Sequence, residues 1–452
     1  AEVRAMRAWT YLGMTMTFGK VPLITEVLDY NSPNIPRDEV SVIRDFIMKE
    51  LTEAAAILPE KYAGGYPNEK GRITKYACLS LKARAALYFG DYALAESTAK
   101  EVMDKGGFSL FKISSLSDAQ KKEAEEMSLY IDFAEKGIDK DEFVKGMFNY
   151  EALWHTENAN PDNPEYIMTR QYAASSWDYQ DMTRYTSMRP NQLGGWSSVT
   201  PTQNLVDAYW GVDGHSVPQL PTPEERAKAY NQIKADLDAY QKPEGEAKFI
   251  AFCQEKIKNG TLKDYKYIQE FRNRDSRMYV SILMPFKSWY ESNYGDKFVY
   301  EWIKNGNNES KTGFNFRKML SLENDANGDG QATGDYPCIR YAEILLIYAE
   351  AHTQTTGYDA ATEAALNQLR DRCGMPDVPS GLSKEEGLKL IQNERRIELA
   401  GEGFRGDDMT RYSDDYWKEH MNNVPIMTPD GDTELTMKWS SRMRLKPIPQ
   451  TA

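Results

Sequence analysis

Histidine is scarce in this chain. Only His155, His215, His352 and His420 occur among 452 residues, none at a short ligand spacing from another, so a zinc site or a histidine base has little material. Cysteine is as sparse. Cys78, Cys253, Cys338 and Cys373 form no CxxC pair, which argues against zinc and thioredoxin-type chemistry and leaves buried thiols as the simplest reading. GxSxG, Walker A and GxGxxG are all absent, which removes the common signatures of acyl transfer, phosphoryl transfer and dinucleotide binding. No window reaches 18 apolar residues, so no segment reads as a bilayer-spanning helix. Cations are the minority charge: 55 Lys plus Arg against 68 Asp plus Glu give −13, the wrong balance for displacing counterions from nucleic acid. A glycosidase needs only two carboxyls at the right separation, but nothing marks a pair out, and the chain reads as a binder rather than an enzyme.

Helical periodicity is present in quantity. Leu51, Ala54, Ala55 and Leu58 recur at helical spacing up to Pro59. Two Ala-rich segments, Ile73 to Phe89 and Ala93 to Asp104, flank Gly90-Asp91-Tyr92. Measured from Gly90, the small residues Ala83 and Ala95, with the larger Val102, fall where the two helices of a tetratricopeptide repeat touch. One such pair cannot bury its face alone. A partner pair is therefore expected, and Arg340 to Arg372, turning at Gly357-Tyr358, fits. Between Ser117 and Lys145 the charged sequence predicts solvated helices or an insertion.

Aromatics are abundant and unevenly spread. Nine lie between Glu151 and His215, where periodicity vanishes, and eight more between Tyr279 and Trp302. Disordered segments are poor in aromatics, and long irregular stretches of compact proteins tend to carry function, so these stretches predict a ligand-binding lobe. Trp and Tyr offer flat apolar faces with a polar edge, which suits exposed binding surfaces. The candidates are Trp177, Tyr179, Trp196, Trp289 and Tyr290, with Asp178, Arg189, Asn191 and Gln192 as polar neighbours. A protein-only helical scaffold is the competing class and would carry its aromatics on the helices instead. Asp325, Asn327 and Asp329 alternate as in a calcium loop, with Gly330 at position six, and Asp335 stands one residue short of position twelve. Because the ligand set is incomplete, a plain Asn/Asp/Gly turn is the first expectation, with a structural calcium as the alternative. No cofactor is required.

Several ordered blocks carry a family resemblance. Arg4-Ala-Met-Arg-Ala-Trp9 before Thr17 to Thr25, Gly71 to Lys75, Pro201 to Tyr209 with Asp213-Gly214, Asn273 to Arg277, Ile339 to Leu346, Asn367 to Arg370, Glu394 to Leu399 with Glu402 to Arg405, and Lys446 to Gln450 resemble those of SusD/RagB-like outer-membrane lipoproteins. The resemblance implies a mostly α fold, in which tetratricopeptide-like helix pairs form a superhelical scaffold under an irregular, loop-rich lobe. It implies one integrated unit of three parts: 1–112 in the scaffold, 113–335 as charged insert and aromatic lobe, and 336–452 returning to the scaffold. The implied function is capture of oligosaccharides, or in some members peptides, for a SusC-like TonB-dependent transporter on the bacterial surface. The implied lipid anchor belongs to an N-terminal segment that these residues do not include, and Lys20 departs from the Gly or Asn usual at that turn. Glu394, Arg395, Arg396 and Glu398 resemble a catalytic cluster, but at helical spacing they are expected to form ion pairs between helices.

Overall fold

The computed structural model describes residues 1–29, 31, 35–62, 69, 71–155, 157–172, 190–290, 298–320 and 334–447. Helices dominate. Four open the chain, α1 (Glu2–Phe18), α2 (Val40–Ile57), α3 (Lys75–Tyr88) and α4 (Tyr92–Lys105), each packed on the next. Thr74 and Asp91 cap α3 and α4, accepting from Ala77 N and Leu94 N, each at 3.2 Å. Gly90 makes the turn between them at φ +77°, a left-handed backbone in which a side chain would be strained. Ala83, Ala95 and Val102 are fully buried, as a close helix pair requires.

The middle of the chain supplies α5 (Asp118–Glu126), α6 (Phe133–Lys136), α7 (Lys140–Ala152), α8 (Gln203–Ala208), α9 (Pro223–Ala239), α10 (Lys248–Lys258), α11 (Lys266–Gln269) and α12 (Ser276–Ser281). After these come α13 (Tyr341–Thr355), α14 (Ala360–Cys373), α15 (Lys384–Glu398), α16 (Phe404–Arg411) and α17 (Asp414–Met421). The expected partner pair is α13 and α14, and α13 packs against both α3 and α4. Arg84 of α3 donates to both carboxylate oxygens of Glu343 on α13, at 2.7 and 2.6 Å. His352 of α13 meets Glu96 of α4 at 2.7 Å. The two hairpins thus bury each other's apolar faces, which neither could do alone. Cys78, Cys253 and Cys373 are buried and Cys338 is half-buried.

One helix departs from expectation. The charged stretch Ser117 to Lys145 reads as solvated, yet α7 begins inside it and turns Phe143, Val144, Met147 and Phe148 into the core, against α12 and α14. Gly146 permits this approach, since a Cβ there would lie 2.1 Å from Gly374 N.

Strands are short and pair two by two, all antiparallel. β1 (Tyr166–Arg170) pairs with β6 (Tyr336–Arg340), β2 (Ile282–Leu283) with β5 (Asn315–Phe316), β3 (Ser288–Trp289) with β4 (Phe298–Val299), and β7 (Val424–Met427) with β8 (Thr433–Met437). The β1–β6 ladder matters most for the scaffold, because it delivers Arg340 to a buried seam of charges. There Arg340 donates to Glu165 at 2.8 Å, to Glu398 at 2.7 Å and to Glu402 at 2.6 Å. Glu398 also pairs with Arg277 at 3.0 Å and with Arg372, and Glu394 with Arg277 at 2.6 Å and Arg370 at 2.7 Å. These side chains are almost wholly shut off from water. Burial alone would raise the Glu398 carboxyl, but Arg372, Arg340 and Arg277 hold it well below the usual range. Arg395 pairs with Asp408 at 2.8 Å. The helical-spacing reading of this segment therefore holds for Glu394, Arg395 and Glu398. Arg396 differs: its Nη2 donates to the backbone and side-chain oxygens of Asn204, the former at 2.9 Å.

Candidate ligand-binding surface

The segment 190–201 has no regular secondary structure beyond a 3-10 turn, Asn191–Leu193, yet it is held firmly at several points. Leu193 is buried beneath it. Gln192 Oε1 accepts from Glu301 N at 3.1 Å, and Pro201 O accepts from Thr312 Oγ1 at 2.6 Å. Gly194 at φ +81° and Ser197 at φ +46° bend the chain between these anchors. Trp196 sits in the bend and is 48% exposed, the only exposed aromatic side chain among the described residues. At the start of the same segment Asn191 is exposed and Gln192 half-buried. A pinned loop carrying one Trp and two amides gives an apolar face with polar edges at small entropic cost on binding.

Tyr290 lies at the end of β3, whose partner β4 leads within two residues to Glu301, so the hairpin links Tyr290 to the anchor of Gln192. The ring is half-buried, and its hydroxyl donates to Glu126. Trp177, Asp178, Tyr179 and Arg189 lie outside the described residues. So do Asp325, Asn327 and Asp329 of the expected calcium loop. Asp335, the fourth member, is buried, with Oδ1 accepting from Tyr172 N at 3.1 Å, and burial pushes its carboxyl up to about 6. Among the described residues no group of three or more His, Cys, Asp or Glu is arranged to hold a metal.

Trp289 requires a correction. It is 1% exposed and offers no face to a ligand. The Arg317 guanidinium lies 4.9 Å from its ring centre, and Phe298 meets it edge-on at 6.4 Å. Arg317 is fixed in turn by Glu123 and Glu151, each at 2.6 Å. Burial would raise the Glu123 carboxyl, but Arg317 and Lys287 hold it at about 2. Tyr279, Tyr300 and Trp302 are buried as well. Loop-like composition is shared by exposed loops and by compact lobes folded from two-residue strands. Only the pairing of β3 with β4 and the distant Arg317 decide the matter, and no local pattern announces either. The anchors Glu301 and Thr312 were also beyond local reading, since each acts on a segment roughly a hundred residues away.

Comparison with known proteins adds the family. The family model described as the SusD family matches residues 164–452. SusD-like protein P38 of Formosa agariphila is 22% identical over 425 residues, 91% of this chain but 65% of the relative, so the chain spans just under two thirds of that relative's length. A crystal structure of a SusD-like protein from Bacteroides fragilis matches at a TM-score of 0.71 and 25% identity, covering 99% of this chain and 76% of that one. A SusD-like carbohydrate binding protein from the same organism matches at 0.65 and 21%, covering 100% and 77%. With nearly two thirds of its residues inside the family match and a helical scaffold of the same architecture, this chain belongs to the SusD family.

Proposed function

We propose that the chain captures glycans at the surface of a bacterial outer membrane and hands them to a SusC-like TonB-dependent transporter. Membership of the SusD family supports the class of function, and a carbohydrate-binding relative of the same fold supports the ligand class. The observation that carries the reading is Trp196: a large aromatic face held out in solvent by a loop tied to Glu301 and Thr312. Trp combines a flat apolar face with a polar N–H edge, which suits a binding face with a polar rim. Asn191 and Gln192 supply the amides that would orient sugar hydroxyls, and Tyr290 borders the same hairpin. No helix among the described residues is long and apolar enough to cross a membrane, and attachment through a lipid anchor is part of the proposal.

Electrophoresis in native gels cast with neutral and acidic polysaccharides tests this. Retardation in at least one polysaccharide gel, relative to a gel without glycan, is the expected result. Free mobility in every gel, together with saturable binding of an unstructured peptide mixture, would replace the glycan reading with peptide capture.

A further inference from the structure

Both anchors of the Trp196 loop come from one short segment. Glu301 N, which donates to Gln192, and Thr312 Oγ1, which donates to Pro201 O, stand at the two ends of residues 301–312. That segment has no helix or strand and closes on itself. Asn305 at φ +57° and Asn308 at φ +52° take left-handed turns that Asn tolerates. Gly306 N donates to Ile303 O at 3.0 Å and Glu309 N to Gly306 O at 3.3 Å, and Trp302 Nε1 donates to Ser310 O at 2.9 Å. Whatever displaces residues 301–312 therefore loosens both ties on Trp196.

Glu309 is the weak point of this cradle. It is 8% exposed, and its Oε1 is sealed from solvent with no hydrogen-bond partner. An unpaired charge in such a place costs far more than an unpaired neutral group. Among the described residues, the charged groups around it do not offset it. On its own segment Glu301 adds negative charge, Lys311 is exposed, and Lys304 is held by Asp430 at 2.5 Å and Asp432 at 2.6 Å. From the β7–β8 hairpin, Asp432 and Glu434 line a small cleft together with Glu309. Tyr300, and Tyr230 of α9, bring only neutral hydroxyls. Burial pushes the Glu309 carboxyl up to about 7, with Glu301 adding to the rise and the Ile303 amide and Tyr300 hydroxyl opposing it.

We propose that Glu309 is a pH-dependent latch: as the neutral acid it lets residues 301–312 seat and hold the Trp196 loop, and as the carboxylate it drives the segment out of place and releases that loop. Glu309 is thus a positioning residue, acting through Glu301 and Thr312 and touching no ligand. Its folded value lies above the ordinary 4.5, so the contribution of the neutral acid is complete below that pH and is lost as pH rises through about 7. The latch stands on the geometry of the segment. Its consequence, weaker ligand retention in alkaline medium, rests on the Trp196 reading above.

Hydrogen exchange followed by mass spectrometry at about pH 6 and about pH 8.5, on either side of the transition and referenced to an unstructured peptide in the same buffers, tests the latch without any ligand. In the wild-type protein, peptides covering 190–201 and 301–312 exchange at least about threefold faster at the higher pH after this correction. Glu309→Gln, a neutral near-isostere, removes that response, and Glu309→Leu serves as the neutral variant should the first not fold. The proposal is overturned if both segments keep their corrected rates across this range in the wild type, or if the neutral variant responds to pH as the wild type does. Native polysaccharide gels at the same two pH values, each read against a gel without glycan, carry the test to binding: retardation weakens at the higher pH in the wild type and not in the neutral variant. Exchange that responds to pH while no gel retards the protein sinks the glycan reading alone, whereas retardation with pH-independent exchange sinks the latch alone.

Discussion

Trp196 and Trp289 lie in aromatic-rich stretches of similar composition, and the fold puts them to opposite uses. Trp289 is roofed by Arg317 and walled by Phe298, inside a network that Glu123 and Glu151 complete. Trp196 is turned outward by a loop whose ends are tied down. Side-chain chemistry alone does not separate a core residue from a binding platform. What separates them is whether the neighbouring backbone is anchored so that the ring points away from the core. The same lesson runs through the charges: Glu394, Arg395 and Glu398 belong to a segment that resembles a catalytic cluster in sequence, yet they are satisfied by Arg277, Arg370, Asp408, Arg340 and Arg372 and sealed from solvent.

Breaking the buried side of this comparison gives the largest effects. Glu398→Gln strips the carboxylate that Arg277, Arg340 and Arg372 share, and costs about 3–5 kcal/mol of stability, a large part of the ~5–15 kcal/mol available to a folded domain; chemical denaturation measures it, and a loss below about 1 kcal/mol would show that the seam is dispensable. Trp289→Ala leaves a cavity under Arg317 and costs about 3–5 kcal/mol, read as a fall in denaturation midpoint.

The next effect is smaller and depends on pH. Burial works to lower the His352 pKa, but hydrogen bonds to Glu96 and Asp359 raise it above 6.5. A raised folded pKa means that this contribution is fully present below pH 6.5 and fades as pH rises through the higher folded value. His352→Gln therefore loses stability relative to wild type at acidic pH and converges with it at alkaline pH, by less than about 1 kcal/mol for so accessible a cluster; melting curves across pH, with the imidazole followed by NMR, check the sign. Smallest of all is the exposed side: Trp196→Ala changes stability by less than about 0.5 kcal/mol.

The scaffold was legible because its rules are local. Small residues at helical spacing, Gly90 at the turn and an Ala-rich second pair predict α3 with α4 and α13 with α14, and these helices form. The charge spacing of Glu394 and Glu398 predicts ion pairs, although their partner Arg277 lies more than a hundred residues away. The lobe was legible only as a composition. Two-residue strands such as β3 and β4 have no readable period, so the burial of Trp289 and the anchors of Trp196 arise from contacts the sequence does not announce.

Calorimetric titration of Trp196→Ala against whichever polysaccharide retards the wild-type protein most tests the central claim directly. The account predicts that affinity falls by at least about tenfold, or roughly 1.4 kcal/mol, while the melting temperature stays at the wild-type value. Wild-type affinity in the variant would contradict it and move the binding face away from the pinned loop.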